Sequence, residues 1–173
     1  MKSASFFAKR LPRMLCIIVA LTGSLLMTDC AGEASWRIGS PAPEVSVLDL
    51  DDRTVRLSDF RGKVVVLRFW ETRCRKCIEG MAAMDRLTKQ YRKEDMVVLA
   101  VNMGDPKKVV TAFVRDLHLS YPVLLDPVLL AAKKYGVISS PTIFFIDRNG
   151  IARRVVLGEI TGEVFDETVK ALL

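Results

Sequence analysis

The sequence predicts an α/β fold: a central mixed sheet flanked by helices on both faces. Three observations lead there. After two short opening strands, strand-like and helix-like segments follow in the order β-α-β-α-β-α-β-β-α, and such alternation builds a sheet covered by helices. Two nearly continuous β-branched and aromatic runs, Val64–Trp70 and residues 96–101, suit strands buried on both faces. Asn149-Gly150 sits between two further strand-like runs, which marks a tight hairpin near the end of the chain.

The elements follow in order. Residues 39–43 read as an extended entry, residues 45–48 and 55–57 as short strands around a turn at 49–53, and residues 58–63 as a loop or single turn. Val64–Trp70 is the first buried strand. Residues 78–91 read as a helix because Ile78, Met81, Met84, Leu87 and Tyr91 recur at helical spacing. Residues 96–101 form the second buried strand. Pro106 suits the first position of a helix running to about residue 117. A short strand at 121–125 precedes a helix at 127–135, which Gly136 ends in a left-handed cap. Strands at 142–146 and 151–157 flank the hairpin turn, and Thr161 N-caps a closing helix over 161–173.

The chain has 173 residues, half of them apolar, so one domain with a proper core fits alongside a short extra segment. Residues 1–34 read as a signal peptide or membrane-anchoring segment and residues 35–173 as the domain. Lys2, Lys9, Arg10 and Arg13 precede an apolar run at residues 14–27. That run is shorter than the roughly 20 residues of a spanning helix and suits the apolar region of an export signal. A short uncleaved anchor is the alternative, and both place the domain outside the cytoplasm. The net charge of +6 falls to +3 from Cys30 onward, and the later basic pairs are scattered. A nucleic-acid partner is therefore not expected, since it would need gathered basic residues with stacking aromatics.

The cysteines divide simply. Cys16 lies in the export segment. Cys30 stands at its processing boundary, where lipidation would make it a membrane tether. Asp29, however, replaces the small residue that normally precedes a lipidated cysteine, and Ala31, Gly32 and Ala34 offer ordinary cleavage instead. Only Cys74 and Cys77 remain for the domain. So close a pair constrains little of the unfolded chain and is not a scaffold. A structural zinc site would need further ligands, and His118 is the one histidine.

The pair lies between a buried strand and the start of a helix, where unpaired N–H groups and the helix dipole favour a thiolate. Cys74, at the exposed edge, is the expected attacking sulfur. Cys77, one turn further in, is the expected resolving thiol. No cofactor is expected beyond this redox-active disulfide, and no metal. Pro141 precedes a strand, where a residue without an N–H is tolerated. The other reading is a cis bond at Ser140-Pro141 that sets a loop against the dithiol. The residues alone leave both open.

The segment Phe69-Trp70-Glu71-Thr72-Arg73-Cys74-Arg75-Lys76-Cys77 resembles the F-W-A-x-W-C-x-x-C segment of thioredoxin-like proteins. Motifs at residues 39–43, 57–63, 100–102, 121–126, 135–137 and 140–147 recur in the same order in the TlpA/ResA subfamily, so the likeness covers residues 38–173. The resemblance implies a thioredoxin fold with an N-terminal β-hairpin and a central strand-helix insertion. It implies a cis Pro141 beside the dithiol, with Ser140, Pro141 and Trp70 as substrate-binding residues. It implies protein thiols and disulfides as partners, a membrane thiol electron donor, and a periplasmic or membrane-anchored reductase of the kind that keeps apocytochrome c cysteines reduced.

The departures from the subfamily share one direction. Arg73 replaces a tryptophan, Lys76 a proline, and Arg68 stands where thioredoxins carry a buried aspartate. Arg75 replaces an acid found between the cysteines of some members. Arg73, Arg75 and Lys76 are thus expected to tune the Cys74 thiolate by adding positive charge. Glu71 is the nearest replacement for the missing proton-moving carboxylate, although a surface pairing with Arg73 or Arg75 is favoured. Three rival functions stand against this reading: a thiol peroxidase, which Glu71 argues against by occupying the position of the needed Thr or Ser; a copper carrier, for which His118 is a weak ligand; and a redox-inactive interaction domain.

Overall fold

The computed structural model describes residues 36–91 and 93–173. The expected export segment, with Cys16, Cys30 and residues 14–27, lies outside the described residues. Among those described, no helix is long and apolar enough to cross a membrane.

The strands are β1 (Ser46–Asp49), β2 (Thr54–Arg56), β3 (Val64–Trp70), β4 (Met96–Met103), β5 (Val123–Asp126), β6 (Thr142–Ile146) and β7 (Ala152–Leu157). The helices are α1 (Arg75–Gln90), α2 (Lys107–Val114), α3 (Leu130–Tyr135) and α4 (Gly162–Lys170). One sheet joins the strands in the order β2-β1-β5-β4-β3-β6-β7. β3 runs parallel to β4, and β4 to β5; the other pairings are antiparallel. The mixed sheet of a thioredoxin fold, with its N-terminal hairpin, is therefore present as expected.

β3 is buried along its whole length, and its alternation divides the core. Val64, Val66 and Trp70 point to one layer with Cys77, Met81 and Met84 of α1, Val110 of α2 and Phe165 of α4. Val65, Leu67 and Phe69 point to the other, where Ala131, Ala132 and Tyr135 of α3 cover them. Each fully buried large apolar side chain contributes about 1.5–3 kcal/mol, so the strand that delivers the cysteines is held from both sides.

Three helix starts differ from expectation, each for a local reason. α1 begins at Arg75 rather than Ile78, because Cys74 itself is the N-cap. Pro106 precedes α2 as its cap instead of occupying the first helical position. α3 begins at Leu130 rather than 127, since the Asp126 carboxylate accepts the N–H groups of Leu130 (2.8 Å) and Ala132 (2.9 Å) and caps the helix there. The hairpin turn closes as expected, with the Gly150 N–H donating to the Asp147 carbonyl at 2.8 Å and Gly150 at a φ of 75° that suits glycine.

Candidate active site

β3 delivers the chain to one end of the sheet centre, and residues 71–73 bridge to α1. That bridge is moored to the neighbouring strand. Asn102 of β4 lies beside Trp70 in the parallel register. Asp105, just beyond it, accepts the Thr72 N–H at 2.8 Å and the Asn102 side-chain amide at 2.9 Å through one carboxylate oxygen. Burial pushes the Asp105 carboxyl up, but the Thr72 and Asn102 hydrogen bonds and the Arg73 charge outweigh it and hold it below the usual value. The Cys74 N–H then donates to the Glu71 carbonyl at 3.2 Å, which closes the turn.

Cys74 and Cys77 are disulfide-bonded, with Cα atoms 5.2 Å apart. Cys74 is half-buried at the helix N-cap, while Cys77 is fully buried. The Cys77 N–H donates to the Cys74 sulfur at 3.1 Å. A negative sulfur at Cys74 would thus meet a fixed donor and the positive end of α1 together.

Ser140 and Pro141 are joined by a cis peptide bond. Pro141 is buried, and its carbonyl accepts the Gly158 N–H at 2.7 Å. The Ser140 hydroxyl donates to the Glu71 carboxylate at 3.2 Å. Glu71 is therefore turned toward the Pro141 loop, not engaged with Arg73 or Arg75 as favoured from the sequence. Beyond this contact runs an open groove lined by Met103, Leu129, Val137 and Ser139, with Val128 and Ile138 on its rim. Those rim residues are 79% and 91% exposed, an apolar surface next to the site.

The structure corrects the placement of Trp70. Its side chain is fully buried, with its ring 5.7 Å from that of Phe113 of α2. It packs the core under the site and presents nothing to a substrate. Arg73, Arg75 and Lys76 are all exposed. Arg75 pairs along the helix with Glu79 at 2.7 Å, so part of its charge is already offset. His118 is exposed at the end of the turn after α2, and among the described residues no three metal-ligating side chains gather.

Two features went unread in the sequence. One is the Asp105 mooring, hinted at only by the Asn102-to-Asp105 spacing after a strand. The other lies behind the dithiol. Arg68 is fully buried, and its Nη2 donates to the Cys77 carbonyl at 2.9 Å and to Glu159 at 2.5 Å. Arg68 stands out in an apolar strand, but nothing local announces a partner 91 residues away.

The AhpC/TSA family profile matches residues 38–155. The thiol-disulfide oxidoreductase ResA of Geobacillus thermodenitrificans is 33% identical over 172 residues, covering 99% of each chain. ResA of Bacillus cereus is 34% identical over 167 residues, 94% of this chain and 96% of the relative. Among solved structures, one from Chlorobium tepidum, provisionally assigned as the thiol:disulfide interchange protein DsbE, matches with a TM-score of 0.74 and 28% identity over 80% of this chain and 99% of that one. The exposed lipoprotein thioredoxin of Streptococcus pneumoniae matches with a TM-score of 0.68 and 30% identity over 75% and 100%. The chain belongs to the AhpC/TSA family and is a thiol-disulfide oxidoreductase of thioredoxin fold, similar along nearly its whole length to the ResA proteins.

Proposed function

We propose that this AhpC/TSA-family chain works outside the cytoplasm as a protein-disulfide reductase, with Cys74 attacking and Cys77 resolving. The observation that carries the division of labour is the contrast in exposure: Cys74 is half-buried at a helix N-cap, Cys77 fully buried behind it. In the reduced protein the Cys74 thiolate attacks one sulfur of a partner disulfide. That bond breaks, one partner sulfur leaves as a thiolate that takes up a proton, and a mixed disulfide forms. Cys77 loses its proton and attacks the Cys74 sulfur. The second partner thiol departs, and the Cys74–Cys77 bond closes. Two electrons pass to the partner, and the disulfide-bonded form described above is the product. The dithiol carries the electrons without a cofactor, and a membrane thiol donor restores it.

The Ser140–Pro141 loop, tied by hydrogen bond to Glu71 three residues before Cys74, and the apolar groove beyond it support a partner chain laid past Cys74. Within this reading Ser140 and Pro141 bind that chain, and Glu71, held against Ser140, is the carboxylate that exchanges a proton with the departing thiol. The N-terminal pattern of residues 1–34 supports export, with tethering through Cys30 or residues 14–27. The ResA likeness supports apocytochrome c thiols as one substrate class.

The test is trapping in cells. Full-length Cys77→Ser should accumulate mixed disulfides through Cys74, visible on non-reducing gels and lost in Cys74→Ser/Cys77→Ser. Purified wild-type domain should reduce insulin, and either single cysteine variant should lose turnover. No trapped partner and no insulin reduction would overturn the proposal. A dithiol found mostly oxidised in cells would reverse the assigned direction.

A further inference from the structure

The core behind Cys77 holds a charge where an apolar strand would place none. Arg68 points from the middle of β3 into the same layer as Val66 and Trp70, under α1, with no surface exposure. One nitrogen bridges the Cys77 carbonyl and the Glu159 carboxylate. Its Nε and Nη1 have no hydrogen-bond partner among the described residues. A buried guanidinium is tolerated only with a counter-charge close by. Glu159 supplies it from the segment after β7, and it remains about a quarter exposed.

Gly80 explains how the carboxylate reaches this place. It lies three residues after Cys77 and so on the same helix face. A Cβ at that position would collide with the Glu159 carboxylate. The glycine is therefore a slot in the middle of α1, with Lys76, Glu79 and Ala83 around the same hollow. Tyr121 completes the surroundings. It lies within electrostatic range of Arg68, Asp85 and Glu159, and burial pushes its hydroxyl up to about 12, so it stays neutral.

We propose that Arg68 and Glu159 form a balanced charge pair that positions and tunes Cys77, with Gly80 as the slot that admits the carboxylate. The inference rests on Cys77 being the resolving thiol. Two opposing effects meet at the Cys77 sulfur. The guanidinium favours the thiolate, and the carboxylate disfavours it. Burial alone would keep the thiol protonated, so the balance sets how much Cys77 can attack. Neither residue touches the reacting sulfurs of a partner; both act through Cys77.

The sign of the response separates this role from a merely structural one. In a Cys74→Ser background, Cys77 is titrated by ultraviolet thiolate absorbance. Glu159→Gln leaves the guanidinium unbalanced and should raise the thiolate fraction at a fixed pH below the midpoint by about tenfold. Arg68→Met leaves the carboxylate unbalanced and should lower it by about tenfold. The double variant should return to within about threefold of the parent. Gly80→Ala, which displaces the carboxylate, should act in the direction of Glu159→Gln, and keeps the test intact if Arg68→Met fails to fold. With Cys74 restored, release of glutathione from a preformed mixed disulfide at Cys74 should follow the same order. Glu159→Gln and Arg68→Met shifting in one common direction, Gly80→Ala opposing Glu159→Gln, or no shift at all, overturns the inference. The two readings fail separately. If insulin reduction persists while these shifts are absent, only the charge pair is lost; if insulin reduction is absent in the parent, the reductase reading falls first.

Discussion

The two sides of the dithiol carry positive charge in opposite ways. In front, Arg73, Arg75 and Lys76 stand in solvent around Cys74, and Arg75 is paired with Glu79. Behind, one arginine with no exposure touches the Cys77 carbonyl and is balanced by Glu159. Counting charges along the sequence gives weight to the front, where there are three. Physics gives it to the rear. Exposed charges interact through water and are screened over about 8 Å at physiological salt, whereas a buried charge acts through a medium that screens far less. On the proposed pairing, one hidden cation should tune the site more than three visible ones.

The largest expected difference between front and rear is in stability. Removing one partner of a buried pair strands the other, and the cost depends on which one is stranded. Glu159→Ala leaves a fully buried guanidinium unbalanced and should cost about 3 kcal/mol. Arg68→Met fills a similar volume with an apolar chain, and the stranded Glu159, about a quarter exposed, keeps part of its hydration where it lies, so the cost should be smaller, about 1 kcal/mol. Urea denaturation of the oxidised proteins measures both. If Arg68→Met proves the costlier, Arg68 is not held chiefly by Glu159, and the rear charge loses its claim to dominance.

A smaller effect lies between front and rear, at the mooring of residues 71–73. Asp105→Ala removes the acceptor for the Thr72 N–H and for Asn102, and should cost about 1–2 kcal/mol. The wild-type contribution depends on pH. The folded carboxyl is held below its ordinary value of 3.8, so its stabilisation is complete above that value and is lost as pH falls through the lower folded value. The wild type and Asp105→Ala should therefore converge in stability in strong acid. A gap between them that stays constant from neutral pH into strong acid would show that the mooring is not made by the charged carboxylate.

What the sequence revealed follows the same divide between local and distant causes. β3 was legible to the residue because its β-branched run is itself the cause of the strand. The hairpin was legible because Asn149-Gly150 makes the turn locally. The start of α1 was misplaced because apolar periodicity begins at Ile78, whereas Arg75 and Lys76 face water and carry no apolar signal; the cap is a cysteine, an atypical one. Trp70 was placed toward substrate by likeness to a motif, yet it shares its face with Val64 and Val66, and a strand covered on both sides has no surface face to offer. The dithiol was legible as a spacing. Arg68 was legible only as an anomaly, since its counter-charge arrives from beyond β7 and no local pattern ties the two together.

The smallest expected effect tests the front of the site. Replacing Arg73, Arg75 and Lys76 together by glutamine removes three exposed cations near Cys74. With fewer positive charges the thiolate is less favoured, so the Cys74 titration should move up. The thiolate fraction at fixed pH should fall by only about twofold at low salt, because each charge acts through water and Glu79 already offsets Arg75. Thiolate absorbance in a Cys77→Ser background measures it, once at low ionic strength and once near 1 M salt, where the screening length shrinks to about 3 Å. The difference from the parent should then nearly vanish, while the rear-pair shifts at Cys77, made across a buried contact, should persist. A rim effect that survives high salt undiminished would mean that these side chains fold over the sulfur, and the contrast between visible and hidden charge would have to be abandoned.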